Sequence, residues 1–516
     1  MTTDLVTDKM NTFAAEKAKS KVQLEPQAVS NSDKAELEMK IVEPTVTKEK
    51  KKRPREPKRK LRQKKRKQHY KKRIKNRHYW RYGDPQERTW GQSQEGSWKR
   101  ILHTSNKGWR YGDAATKAVR EELHQMVEKE VWEYRKSLNG ERALRSMLFI
   151  SEKKDAHGEL MKIKARLVAD GSSQILKPYQ ETSSPTASFS SIMSILKIAA
   201  VEKRKLVAID IGGAYLNASM DEEVYMIIDK QVTEVVAKLD VKAKTYVRKD
   251  GTLAVKLKKA LYGCKQSAVL WFKRLKAYLE KLGFTGNLKD KCVFNLNRNS
   301  HQVTIVFHVD DLLTTSGSSD NLNWIKKKLR DEIIDSKEQN GDEITYLGML
   351  IRRKKDDGIS LSMDKIVDEV LEGVEGVVKT LATDDLFKVD SKLQPLPDPE
   401  KEVFHSMVAK LLYLAMRTRP DLLLAVSFLT TRVTKATEED MKKLNRVVSY
   451  MNGTKRMSLE SNSKEFKCVE GYVDAAFGKQ VDGKSHTGRI IMIGETPVAV
   501  KSGKQKIVTK DSTEAE

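Results

Sequence analysis

Two adjacent aspartates, Asp310 and Asp311, stand between apolar runs in VTIVFHVDDLL, Val303–Leu313. A third, Asp210, closes the apolar run Lys205–Ile209 and is followed by Gly212, Gly213 and Tyr215. A lone Asp-Asp pair is ordinarily a solvated turn. Joined by a third carboxylate at a strand end, it becomes a set of hard oxygen donors suited to Mg²⁺, with Mn²⁺ as a substitute. Three carboxylates converging from two strands could hold two such ions. The pair would activate an attacking hydroxyl and stabilise a leaving pyrophosphate in an in-line displacement. Spacing alone leaves the convergence open.

The flanking residues say which elements must bring these groups together. Val303–Phe307 has strand composition and Leu312–Thr315 can return beside it, which puts Asp310 and Asp311 in a hairpin turn. Lys205–Ile209 reads as a buried strand delivering Asp210, and the glycines behind it let backbone approach a ligand. Leu144–Ile150 and Glu159–Ala169 read as strands about a turn at Asp155–Gly158, and a helix is expected over Ser190–Lys203. Asp113 reads as the N-cap of a helix striped by Val119, Leu123, Met126, Val127 and Tyr134. Ser267 reads as the cap of another, with Trp271, Leu275, Tyr278 and Leu279 inward and Gly283 ending it. Asp320 reads as the cap of a third. Tyr346–Ile351 and Ile359–Ser362 predict a second hairpin about Asp356–Gly358. Thr380–Lys401, with Pro395, Pro397 and Pro399, reads as a linker before helices over Glu402–Met416, Asp421–Thr434 and Glu438–Met451.

At 516 residues the chain is too long for a single core, and its 39% hydrophobic content is enough for folded domains. A net charge of +27 attracts a polyanion, nucleic acid first. Lys48–Arg77 holds 19 Lys or Arg against two Glu, so this run alone carries +17. Residues 1–77 read as a disordered tail whose basic run binds RNA or DNA phosphates or serves as a nuclear signal. WRYGD occurs twice, at Trp80–Asp84 and Trp109–Asp113, and reads as local turn packing. Cys264, Cys292 and Cys468 are far apart with no CxxC spacing, which excludes a zinc knuckle and fits a reducing, intracellular setting. No apolar run is long enough to span a membrane.

Several stretches, in order, resemble the reverse transcriptase of copia-type LTR retrotransposons. They include KARLVADG (Lys164–Gly171), SPTASFSSI (Ser184–Ile192), DIGGAYLNA (Asp210–Ala218), LKKALYGCKQSAVLWF (Leu257–Phe272), HVDDLL (His308–Leu313) and YLGM (Tyr346–Met349). KLLYLAMRTRPD (Lys410–Asp421), YVDAAFG (Tyr472–Gly478) and STEAE (Ser512–Glu516) follow. The resemblance implies an α+β right-hand polymerase with fingers, palm and thumb, followed by an incomplete RNase H-like α/β fragment. The boundaries it suggests are 78–140 for a linker and amphipathic helix, 141–379 for fingers and palm, 380–460 for linker and thumb helices, and 466–516 for the fragment.

What the resemblance implies for single residues is specific. Asp210, Asp310 and Asp311 would be catalytic and hold two Mg²⁺. Tyr215 would be the steric gate against a 2′-hydroxyl. Lys164 and Arg166 would hold the triphosphate of a dNTP, and Lys265 and Gln266 would lie beside nucleotide and template. The partners implied are an RNA template, a DNA primer and dNTP. His308 departs from the commoner tyrosine of the YVDD form, and Cys264 reads as a small core residue. Lys435, Lys442, Lys443 and Arg446 would track a duplex backbone. Of the RNase H set, only Asp474 and Glu514 are recognisable, so no RNase H activity is expected. A truncated element copy, at most a basic nucleic-acid-binding protein, is the alternative. The resemblance places the protein in a cytoplasmic particle or the nucleus.

Overall fold

The computed structural model describes residues 99–100, 112–138, 140–154, 160–175, 181–333 and 335–516. The 1–77 tail with its basic run, the first WRYGD copy, Trp109–Tyr111 of the second and the Asp155–Gly158 turn lie outside them. So does Val6–Trp90, one of the two units into which the chain divides. The fold is mixed α and β, and among the described residues no helix is long and apolar enough to cross a membrane.

The first helix, α1 (Gly112–Glu128), starts one residue before the expected cap, so Asp113 lies in its first turn. Ala115, Val119, Leu123 and Met126 recur at helical spacing and are buried together. Strands β1 (Trp132–Arg135), β2 (Ala143–Lys154) and β3 (Leu160–Ala169) follow. On β3 Ile163, Ala165, Leu167 and Ala169 alternate inward, which leaves Lys162, Lys164 and Arg166 on the other face. Ser188 caps α2 (Phe189–Val201) by accepting from Ser191 N at 3.1 Å. After β4 (Lys205–Ile211), strands β5 (Tyr225–Ile228) and β6 (Leu253–Leu257) join β1 and β2 in one sheet.

The second sheet carries the aspartates. Helix α3 (Ser267–Lys281) precedes it, and Ser267 is its first residue, not its cap; the hydroxyl donates to Leu261 O at 2.6 Å instead. Gly283, at φ +93°, ends the helix as expected. Strands β7 (Val293–Arg298), β8 (His301–His308), β9 (Asp311–Ser316) and β10 (Ser336–Asn340) then build a sheet in the order β10, β4, β9, β8, β7. Its middle strands are covered on both faces, so Val303, Ile305, Val306, Phe307, Leu312 and Leu313 are all buried and the pattern is a continuous apolar run. The helix between β9 and β10, α4 (Ser319–Glu332), is capped by Ser318, which accepts from Asn321 N; Asp320 sits within the first turn.

Tyr346–Ile351 is not one strand. Leu347 and Gly348 both have positive φ, the pattern of a type I′ turn, and fold β11 (Glu343–Tyr346) onto β12 (Met349–Arg353). Strand β13 (Ile359–Ser362) pairs next. The linker is shorter than expected because Pro399 is tolerated in the first turn of α5 (Asp398–Ala415). Helices α6 (Leu423–Thr430) and α7 (Glu438–Gly453) follow, the second opened by a Thr437–Asp440 capping box. The last residues form an antiparallel sheet of β14 (Val469–Ala476), β15 (His486–Ile493) and β16 (Thr496–Lys504). Asp511 caps the closing turn, α8 (Ser512–Ala515).

Candidate active site

Asp210 and Asp311 are Cα partners across the antiparallel β4–β9 ladder. Residues directly opposite project to one face with Cβ atoms about 5 Å apart, and like charges so placed repel. Asp311 is the first residue of β9, so the hairpin turn is made by Val309 and Asp310 alone. Asp310 is tied to the neighbouring strand by its carbonyl, which accepts from Ile211 N at 3.0 Å. The three aspartates therefore lie at adjoining strand ends, Asp210 on β4, Asp310 in the turn after β8 and Asp311 at the start of β9. Val309 holds φ +62°, unusual for a β-branched residue, and its carbonyl accepts the indole N–H of buried Trp271 at 2.7 Å.

A cationic and aromatic stack leads to the same place from β3. The Arg166 guanidinium lies 4.2 Å from the centroid of the Tyr262 ring, and that ring lies 4.8 Å from the Tyr215 ring. Burial raises the pKa of both phenols, and the Asp310 carboxylate adds to the rise in each. Tyr215 stands on the short turn Ala214–Asn217 behind Gly213, whose φ of +60° starts that turn. The stack is held by a close backbone approach. A Cβ on Gly171 would fall 2.0 Å from Gly263 O, a Cβ on Gly263 would fall 2.0 Å from Ala169 O, and Ala169 N donates to Tyr262 O at 2.8 Å. Tyr262 was not singled out from the sequence, although the Gly263 beside it was the available signal.

The other expected residues lie as follows. Lys164 shares the half-buried face of β3 with Arg166. Lys265 is exposed, but its Nζ donates to Gln174 O at 2.7 Å. Gln266 is fully buried behind the surface, where its Oε1 accepts from Gln174 Nε2 at 2.7 Å and its Nε2 has no hydrogen-bond partner. His308 faces Asp311 across the hairpin; burial, then the charge of Arg417, holds its pKa below the ordinary histidine value. Lys442 pairs with Glu439 at 2.8 Å, Lys443 donates to Lys388 O and Arg446 to Thr380 Oγ1. Asp474 lies exposed on β14, while the Glu514 carboxylate accepts from Lys510 N at 2.6 Å.

Among the described residues no group of three or more His, Cys, Asp or Glu side chains is already arranged as a metal cage. The donor chemistry nevertheless fits a hard cation. Mg²⁺ is commonly held by one or two carboxylates together with water and substrate phosphates. The in-register pair Asp210 and Asp311, with Asp310 adjacent, could supply the two.

Residues 129–380 match the family described as reverse transcriptase (RNA-dependent DNA polymerase). The Pol polyprotein from transposon RE1 of Arabidopsis thaliana is 29% identical over 71% of this chain, and that from transposon RE2 is 30% identical over 71%. The chain carries the reverse transcriptase region of a copia-type retrotransposon. All three aspartates fall inside this reverse transcriptase region. The Pol polyprotein from transposon TNT 1-94 of Nicotiana tabacum is 26% identical over 78% of this chain. The chain spans 24% of each Arabidopsis relative and 30% of the tobacco one. Among solved structures, a foamy viral protease-reverse transcriptase in complex with double-stranded DNA is similar at TM-score 0.40 and 13% identity, covering 78% of this chain and 58% of that one.

Proposed function

We propose that this chain is an RNA-directed DNA polymerase that extends a DNA primer on an RNA template. The observation that carries the reading is the register of Asp210 against Asp311 at the tip of a hairpin whose turn holds Asp310. Asp210 and Asp311, with Asp310 beside them, are the residues that would hold Mg²⁺. Bound there, the ions would acidify the primer 3′-hydroxyl and neutralise the departing pyrophosphate. The chain's own part is placement and charge. The sheet around β4 and β9 is the palm, the β2–β3 ladder the fingers, and helices α5–α7 the thumb. Arg166, Lys164 and Lys265 present positive charge to the triphosphate. The Tyr215 ring, backed by Tyr262, lies under the sugar and excludes a 2′-hydroxyl. Buried Gln266 acts from behind, through Gln174, on the loop that carries Lys265. The β14–β16 sheet is read as an RNase H-like fragment bearing Asp474 and Glu514. The 48–77 run adds nucleic-acid affinity and a signal for nuclear entry.

Primer extension tests the reading. Oligo(dT) on poly(rA), with Mg²⁺ and dTTP, should be extended by the wild-type chain and not by Asp310→Asn. No incorporation by the wild type, or full incorporation by the variant, contradicts it. Extension on poly(dA) but not on poly(rA) would make it a DNA-templated enzyme instead.

A further inference from the structure

Several arginines withdrawn from water in this fold have carboxylate partners. Arg419 forks onto Asp421 at 3.0 and 2.8 Å, and Arg204 meets Glu202 at 2.6 Å. Arg432 meets Asp440 at 3.1 Å. Arg417 is half-buried, and among the described residues no carboxylate pairs with it. Its guanidinium carbon lies over the Tyr413 ring, 3.8 Å from the centroid, so the ring covers one side and N–H groups remain for a ligand. Withdrawal from water already disfavours its charged form, the cost an unmatched cation bears until an anion arrives.

The position of this cation is specific. The Tyr413 hydroxyl donates to Leu347 O at 3.3 Å, in the tight turn between β11 and β12. Strand β11 packs against β4 and β9. The Arg417 charge also reaches His308, the residue preceding the Val309 turn. The guanidinium is thus linked through Tyr413 to the Leu347–Gly348 turn, and its charge acts on the residue that leads into the Asp310–Asp311 hairpin. It reaches there from the end of α5, whereas Arg166 and Lys265 arrive from β3 and the Tyr262–Gln266 loop.

We propose that Arg417 binds a backbone phosphate of the primer strand and seats the primer end beside the aspartate hairpin. The proposal rests on the polymerase reading for the identity of the strand. A planar, always-charged fork with one side covered by a ring and N–H groups remaining is matched to a phosphodiester, which can accept two parallel N–H bonds. The triphosphate of a nucleotide offers the same chemistry, and the test separates the two sources.

The full chain is titrated with a fluorescent oligo(dT)–RNA hybrid, without dNTP, at a series of salt concentrations. Arg417→Gln should weaken binding about tenfold and flatten the log K against log salt slope by about one, the loss of one phosphate contact. Arg417→Lys should recover the slope but not the full affinity, because a lysine ammonium is not a planar fork. The KM for dTTP should stay within about twofold of wild type. Neutral methylphosphonate links placed singly along the primer near its 3′ end should weaken wild type at one position and leave Arg417→Gln indifferent there. An unchanged slope and affinity in Arg417→Gln overturns the proposal, and so does a raised KM for dTTP with hybrid binding intact. If Arg417→Gln melts early, the methylphosphonate scan of wild type against Arg417→Lys decides, and a scan with no sensitive position refutes the seat. A wild type that binds the hybrid with an Arg417-dependent slope yet never extends it would defeat the polymerase reading and leave the phosphate contact standing.

Discussion

Trp271 donates its indole N–H to the carbonyl of Val309 over 2.7 Å, and Val309 is the hairpin residue held at φ +62°. The hydrogen bond fixes a strained turn one residue from Asp310. Trp271→Phe keeps most of the packing and leaves that carbonyl without its donor. It should cost about 1–3 kcal/mol in urea unfolding. It should also lower kcat while leaving the KM for dTTP near wild type, since the turn and not the nucleotide contacts is released. A variant with wild-type kcat would show that the turn holds its shape unaided.

The Tyr215–Tyr262 contact at 4.8 Å gives a prediction about sugar choice. Tyr215→Val removes the ring and should raise the efficiency of rTTP relative to dTTP by at least about tenfold, with dTTP use largely kept. Tyr262→Leu should do the same more weakly, by letting the Tyr215 ring move. Competition between the two nucleotides on poly(rA) measures the ratio, and an unchanged ratio in Tyr215→Val removes the gate assignment.

The cysteines should differ in reactivity. Burial pushes the Cys264 thiol up to about 11, and burial with the nearby Asp290 charge pushes Cys292 up to about 12; Cys468 is exposed. Thiolate is the reactive form. At about pH 8 iodoacetamide should label Cys468 alone in the folded chain and all three cysteines in urea, as read by mass spectrometry. Labelling of Cys264 in the folded chain would contradict its place in the core.

His308 predicts a pH effect on stability. Burial and then Arg417 hold its pKa below the ordinary 6.5. As pH falls through that value the unfolded chain takes up a proton that the folded chain refuses. Its contribution is therefore intact above pH 6.5 and lost on going down to the lowered pKa of the folded state. Wild type should lose more stability between about pH 7.5 and about pH 5 than His308→Gln does. Equal losses would place the imidazole in contact with water.

Strands β4, β8 and β9 were legible because their apolar runs are buried on both faces and end at charged residues. The hairpin was legible too, but not its register, since a pairing between Asp210 and Asp311 depends on how two distant strands slide. Leu347 and Gly348 hid a turn inside an apolar run because only the backbone, not the residue types, shows Leu347 at positive φ. Ser267 and Asp320 were read as caps by residue type, while the neighbouring Gln266 and Ser318 hold those positions. The Tyr262–Tyr215, Trp271–Val309 and Tyr413–Leu347 contacts join segments far apart in the chain, which no local pattern encodes. Gln266 is buried against Gln174, a partner 92 residues away that the residues around Gln266 do not name.

The central claim is that Asp210 and Asp311 work as one cross-strand pair. Single-nucleotide incorporation on a primed RNA template, with Mg²⁺, should be measured for Asp210→Asn, Asp311→Asn and the double variant, each still binding the hybrid. Each single change should lower kcat by at least about a thousandfold, and the double should be hardly worse than either, since residues acting as a unit are not additive. Near-wild-type incorporation by either single variant, or losses that multiply in the double, would contradict the account.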